Sequence, residues 1–388
     1  MKKNRILLIG PIVDFGGREV MTNLLVNVLK DTYTINVLST TLMTKNSVAL
    51  KNLSRKQWST LSQIAYDKNV FLKLTALLAK VVNKRKEPAY FFINNKFSKL
   101  FFNFDALALK AIKTVIKEAD LVIYSDEITG RWLESIIKNG NIYNIPILAI
   151  ITGKIKVIPK FLQDTILNFN ILVHSKQNAK IVQNQFDISV LNVDQTSAIE
   201  EQLLKIEIKE NADLVYGFIG RFSPEKGTKE LVDTFSDSNK KLIVAGSGPL
   251  LHDVKNLVDT NDNFINLGEL SPSELPQFFN KIDVLIIPSH EEGGPLVGVE
   301  AMAAGKLVLS TKVGAMPERM EGTDNDFWFF HDVKYSLETA ISTIEKLSKP
   351  ERLKIRQQLR DKYVANNSLQ SIKKQYLDVA NQLINKTK

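Results

Sequence analysis

The sequence predicts an α/β protein of two domains, each a parallel sheet with helices on both faces. A chain of 388 residues with 44% apolar content is longer than one hydrophobic core usually organises. Short apolar runs alternate with helix-like segments, and strands that read as unbroken apolar runs belong to sheets buried on both faces. The runs form two sets, parted by a polar stretch of weak periodicity over 192–211.

In the first set, strands are expected at 5–10 (RILLIG), 35–40, 120–125, 145–151 and 170–175, with a helix from about Glu19 to Lys30 after the first. The second set reads 214–220 (LVYGFIG), 241–246, 263–268, 283–288 (DVLIIP) and 306–311. Two Rossmann-like domains follow, drawn at 1–195 and 196–367. The last segment, 368–388, places Leu369, Ile372, Tyr376, Val379 and Leu383 at helical spacing.

Composition removes several classes. The chain has no cysteine, which excludes disulfides and thiolate metal sites and fits a reducing compartment. Its four histidines are scattered without paired spacing, which argues against a structural zinc site. No window reaches the roughly 18 apolar residues of a membrane helix. The opening MKKNRILLIGPIVDFGG is basic then apolar, but Gly10 and Pro11 end the run early, so it reads as a first strand rather than a secretory signal. A net charge of +9 suits an acidic partner such as a nucleotide sugar or an anionic lipid surface, although a lysine-rich sequence also reaches it without any function. No nucleic-acid-binding module accompanies the charge.

Two loops carry the chemistry. Ser289 to Gly305, SHEEGGPLVGVEAMAAG, places Glu292 and Glu300 eight residues apart across a glycine-rich turn between an apolar strand and a strong helix former. Such a turn presents backbone N–H groups at a helix N-terminus, where phosphate or sugar oxygens are held. Upstream, GFIGRFSPEKG carries Arg221 and Lys226, two cations able to address one anionic group, the first as a fork and the second as a point charge.

With these parts in this order the chain resembles the retaining GT-B glycosyltransferases of the family 4 type, the glycosyl transferases group 1. The matching residues are Gly220, Arg221, Lys226 and Gly227; Gly246, Gly248 and Pro249; then Pro288, Ser289, Glu292, Gly293, Leu296, Glu300, Ala301, Met302, Ala303 and Gly305. Several motifs in fixed order over the C-terminal half are more specific than any one alone. One departure is Pro295, in place of the second loop glycine, which stiffens the loop and removes a donor.

The resemblance implies two Rossmann-like domains facing each other across a cleft, with the terminal helix crossing back to the first domain. It implies transfer of a hexosyl or N-acetylhexosaminyl group from a nucleotide-sugar donor, UDP favoured, to a glycan or lipid-linked acceptor. The setting it implies is bacterial surface polysaccharide or lipopolysaccharide assembly, in the cytoplasm at the inner face of the membrane. Catalytic roles fall on Glu292 at the donor sugar, on Arg221 and Lys226 at the departing diphosphate, and on Asp126 on the acceptor side. Donor contacts fall on Gly16, Gly17, Gly220, Gly248, Gly268, Gly293, Gly294, Pro295, Leu296, Val297 and Glu300, the last at the ribose hydroxyls. The departing phosphate itself takes the acceptor proton, so neither a protein nucleophile, a cofactor nor a metal is expected.

Other readings stand beside these. Glu300 also fits a carboxylate that favours a helix N-terminus. Gly16 and Gly17 equally fit an ordinary strand-to-helix turn, Asp126 a helix cap, and Glu127 and Thr152 are further acceptor-side candidates, with Asp14 and Arg18 beside the first loop. The histidine that many relatives carry on the acceptor side is lacking, and His174 reads as a structural strand-end residue. Asp324 and Asp326 read as a loop rather than a metal site. Between Lys68 and Lys99, eight Lys or Arg stand against one Glu, interleaved with apolar residues. This stretch suits an anionic membrane surface or, equally, a helix whose apolar side packs inward. An epimerase on the same scaffold and a non-catalytic nucleotide-sugar-binding partner of a transferase are the competing functions. Joint retention of Arg221, Lys226, Glu292 and Glu300 argues against the second.

Overall fold

The computed structural model describes residues 3–151, 159–162, 169–185, 190–209, 211–236 and 238–386. The chain divides into two compact units: Met1–Leu172, Ile181–Leu191 and Lys373–Lys388 form one, and Val173–Lys180 with Asn192–Ile372 the other. Each is built on its own sheet.

The N-terminal sheet has seven strands: β1 (Arg5–Gly10), β2 (Thr34–Ser39), β3 (Trp58–Thr60), β4 (Leu121–Ser125), β5 (Ile147–Ile151), β6 (Phe169–Val173) and β7 (Val190–Asn192), in the spatial order β3-β2-β1-β4-β5-β6-β7. The pairings of β1 with β2 and β4, of β2 with β3 and of β4 with β5 are parallel. Ile6 to Ile9 and all of β4 and β5 are buried, which is why these strands read as unbroken apolar runs. Two strands escape the sequence reading. Trp58–Thr60 and Val190–Asn192 are three residues each, too short to show a period.

The C-terminal sheet has five strands, β8 (Val215–Ile219), β9 (Lys241–Ala245), β10 (Phe264–Asn266), β11 (Val284–Ile287) and β12 (Leu307–Ser310), all parallel in the order β10-β9-β8-β11-β12. Phe218, Val244, Leu285, Ile286, Val299 and Met302 belong to one continuous core cluster between this sheet and its helices. Beneath the N-terminal end of β11 a buried ion pair, Asp283 with Arg356 at 3.3 Å, also receives the Val215 N–H, so both charges are compensated where the sheet is sealed.

Segments 173–180 and 192–195 group with the C-terminal unit, because the Lys176 N–H donates to Glu318 at 2.7 Å and Asp194 pairs with Arg319. Helix Leu369–Lys386 closes the described chain, and Lys373–Lys388 group with the N-terminal unit. There Lys373 pairs with Asp31 at 2.7 Å and the Tyr33 hydroxyl donates to Asn381.

Candidate active site

Strand order fixes where each unit can hold a ligand. In the C-terminal sheet the chain runs from β8 outward to β9 and β10, then returns to place β11 on the other side of β8. The loops leaving β8 and β11 therefore diverge at a topological switch point, the crevice where open α/β sheets bind ligands. Those loops are the two that the sequence singles out.

After β8 come Gly220 and Arg221, a single helical turn Pro224–Lys226, Gly227, and the helix Thr228–Ser236. Gly227 adopts φ 69°, and a Cβ there would lie 1.8 Å from the Pro288 carbonyl oxygen, so only glycine lets the two loops touch. That contact delivers the central feature: Lys226 Nζ donates to Glu292 Oε1, which also accepts from the Ser289 hydroxyl at 2.9 Å. The Glu292 side chain is 14% exposed and that of Lys226 31%, so the pair lines a partly screened wall. Arg221 is exposed on the same loop. The two cations are thus placed differently: Lys226 is held by a carboxylate, whereas Arg221 presents its fork to solvent.

A third loop backs the first. Phe222 donates its N–H to Ser247 at 2.8 Å and accepts from Leu250 at 2.9 Å, and a Cβ on Gly248 would sit 2.4 Å from the Phe222 carbonyl oxygen. Gly268 follows β10 and its carbonyl accepts the Gly246 N–H at 2.8 Å. These glycines position backbone under the Arg221 loop.

The helix after β11 is Leu296–Ala303, with Pro295 as its N-cap residue. Glu300 therefore lies in the second turn rather than at the helix start, which removes the reading of a carboxylate favoured by the helix end. Its side chain is buried, with the Ser197 hydroxyl at 3.3 Å, and burial pushes its carboxyl up to about 7. A carboxyl so desolvated gains from any hydroxyl that donates to it.

Beneath Gly293, Gly294 and Pro295 lies a residue that the sequence reading misses. Arg319, on the short helix Met316–Met320, is buried, donates to the Pro295 carbonyl at 2.6 Å and forks onto Asp194 at 2.6 and 3.1 Å. It also reaches Gln195 at 3.1 Å. Burial opposes ionisation of Asp194, but the Arg319 guanidinium and the Asn367 amide outweigh it and hold the carboxyl below its ordinary range. Pro295 costs the loop an N–H, and its carbonyl is the atom that Arg319 fixes. An arginine beside a single glutamate in the otherwise uncharged VGAMPERM run was the available signal.

The N-terminal sheet repeats the logic on a smaller scale. Its switch point lies between β1 and β4. Gly16 caps the helix Gly17–Leu29, whose Arg18 pairs with Asp126 at 3.1 Å and donates to the Pro11 carbonyl at 3.1 Å. The Tyr124 hydroxyl donates to the other Asp126 oxygen at 3.1 Å. Asp126 is no helix cap, since the next helix begins at Leu133. Its two oxygens are aimed by Arg18 and Tyr124. Asp14 is engaged in its own loop, accepting from the Thr44 N–H and hydroxyl at 2.7 Å each, and Glu127 meets Thr129 at 3.4 Å. Thr152 lies outside the described residues. His174 is fully buried with Nδ1 against the Val193 carbonyl at 2.8 Å, and burial lowers its pKa, as suits a structural residue. Asp324 is held by Lys354 and Gln358, and Asp326 by the Trp328 indole N–H, so that pair forms a loop contact network.

Two parallel α/β units, each with a cation–carboxylate pair at the switch point of its sheet, have the architecture of the GT-B fold class. Residues 199–362 match the family described as glycosyl transferases group 1. An uncharacterized glycosyltransferase of Methanocaldococcus jannaschii is 32% identical over 143 residues, covering 36% of this chain and 40% of its own. The lipopolysaccharide 1,2-N-acetylglucosaminetransferase of Salmonella typhimurium is 33% identical over 154 residues, covering 36% and 39%. The chain thus spans about two fifths of the length of the curated relatives it matches. The crystal structure of Anabaena HepE in complex with UDP superposes over 98% of this chain and 100% of its own, with TM-score 0.68 and 16% identity. That likeness shows the fold.

Proposed function

We propose that the protein is a retaining glycosyltransferase that moves a hexosyl or N-acetylhexosaminyl group from a nucleotide-sugar donor, UDP favoured, to a glycan or lipid-linked acceptor. Its setting is bacterial surface polysaccharide or lipopolysaccharide assembly, in the cytoplasm at the inner membrane face. The observation that carries this reading is the junction of Lys226, Glu292 and Ser289 at the switch point of the C-terminal sheet, inside the segment that matches the family. UDP in the HepE complex and lipopolysaccharide in the name of the Salmonella relative support the donor and the setting.

In this reaction the bond from the sugar anomeric carbon to the donor phosphate oxygen breaks and one from the same carbon to the acceptor oxygen forms on the same face. The acceptor proton passes to the departing phosphate. Negative charge grows on that phosphate, and Arg221 with Lys226 stabilises it without a metal or cofactor. Glu292 orients the sugar hydroxyls, and Glu300 accepts from the ribose. The test is a thermal-shift and hydrolysis screen against UDP-, GDP- and ADP-sugars. A UDP-sugar raises the apparent Tm and releases UDP slowly; silence from every donor sinks the reading.

The acceptor reading has its own surface. In helix Val70–Val82, Leu72 and Ala76 are buried, but Val70, Leu74, Leu78 and Val81 are 57–73% exposed and recur at helical spacing. Phe97, Leu100 and Phe101 are exposed nearby, with Phe97 stacked against Phe71 and Phe101 meeting it edge-on. Inward packing accounts for one side of the helix only. Lys68, Lys84, Arg85, Lys86, Lys96 and Lys99 are exposed in the same stretch of chain, the composition of a surface suited to an anionic bilayer. No helix among the described residues is long and apolar enough to cross one. Replacing Lys84, Arg85 and Lys86 by Glu is expected to weaken binding to phosphatidylglycerol vesicles by about a hundredfold, at roughly 1 kcal/mol for each lost basic residue; unchanged sedimentation with vesicles would refute the surface.

A further inference from the structure

Forty-one positions apart in sequence, His290 and His331 meet with their rings stacked, centroids 3.7 Å apart and planes 20° from parallel. Glu230, on the helix that follows Gly227, reaches both: its Oε1 is 2.7 Å from His290 Nε2 and 3.9 Å from His331 Nδ1. One ligand atom from each of the three residues lies within 4.8 Å of the others. The second carboxylate oxygen, Glu230 Oε2, is shielded from solvent with no hydrogen-bond partner, a costly state for a carboxylate unless a cation or donor faces it. Folding here brings together two histidines whose pairing sequence spacing does not show.

We propose that Glu230, His290 and His331 form a binding site for a divalent cation of the zinc class. Two imidazole nitrogens and one carboxylate oxygen suit Zn2+, with water as the fourth ligand, and are poor ligands for Mg2+, which prefers oxygen throughout. Zinc needs each atom about 2.0–2.2 Å from the ion in a tetrahedral array, so Glu230 and His290 must part slightly while His331 draws in. The side chains of Glu230 and His290 are 38% and 39% exposed, while His331, 20% exposed, is the more buried member. The three ligands come from three separate segments: the Thr228–Ser236 helix, the loop after β11, and the chain beyond Phe329. A bound ion would clamp the stretch that ends at Glu292 to both neighbours. Its role is structural, and it does not depend on the proposed reaction.

The test uses untagged full-length protein, whose lack of cysteine and total of four histidines leave few competing soft ligands. Calorimetry with ZnCl2 is expected to give one ion per chain, and saturation to raise the Tm by about 5 °C or more, reversed by EDTA. MgCl2 is expected to do neither. His331→Gln and His290→Gln each abolish both effects, while His252→Gln, outside the cluster, keeps them. Absence of heat and of a Tm change in the wild type overturns the site, as does binding that persists in both variants. Should His331→Gln fail to fold by circular dichroism, His290→Gln, on an exposed loop position, decides alone.

Discussion

Glu292→Ala and Lys226→Ala are each expected to lower kcat/KM for sugar transfer by about a hundredfold to a thousandfold, the scale lost when one preorganised charge at a developing anion is removed. Both residues meet at one hydrogen bond, yet their losses differ in kind. Without Lys226 the departing diphosphate loses its point charge, so the loss falls on kcat, with Glu292 left beside a growing negative charge. Without Glu292 the cation remains but the sugar is no longer oriented, and KM for the donor rises as well. The Lys226→Ala/Glu292→Ala double variant is expected to lose far less than the product of the two single losses, because they act as one unit. Steady-state kinetics with the donor found by the screen reads this, and far-UV circular dichroism with Tm checks that the fold persists. Turnover within threefold of wild type in either variant removes these residues from the mechanism.

The second large effect is on stability. Arg319→Met is expected to destabilise the C-terminal unit by about 3–5 kcal/mol, the cost of leaving one partner of a buried pair unpaired. Asp194 would stay largely buried without its guanidinium, and the Pro295 carbonyl would lose its donor. Arg319→Met with Asp194→Asn removes the stranded charge and is expected to recover a large part of the loss. Urea unfolding monitored by tryptophan fluorescence measures both. A single-variant loss below 1 kcal/mol would show that the pair does not hold the loop.

Much of this architecture is legible in the residues. Ten apolar runs mark ten of the twelve strands among the described residues, because a strand buried on both faces leaves few polar positions to blur it. The Arg221 and Glu292 loops are legible for a related reason: glycines and prolines punctuate them where backbones must touch, as Gly227 shows against Pro288. What sequence does not disclose is pairing at a distance. Lys226 bonded to Glu292, Arg18 to Asp126, Arg319 to Asp194 and His290 stacked on His331 are separated by 66, 108, 125 and 41 positions respectively. Spacing along the chain carries no trace of such partners. The outer stripe of the Val70–Val82 helix was undecidable for the same reason, since helical periodicity shows that faces differ but not which one meets the core.

The bond between Lys226 and Glu292 also bears on what the site ignores. A cation already matched by a carboxylate projects little field into the surrounding water, so free phosphate and stray anions find only a weak attractor there. A ligand must offer enough other contacts to repay the parting of that bond, and under the proposed function a sugar joined to a diphosphate would do so by supplying hydroxyls to Glu292 as its phosphates take over Lys226. On that proposal the pair would act as a gatekeeper by exchange: neither half of the donor alone would replace both ends of the bond, and discrimination would be set before any chemistry begins.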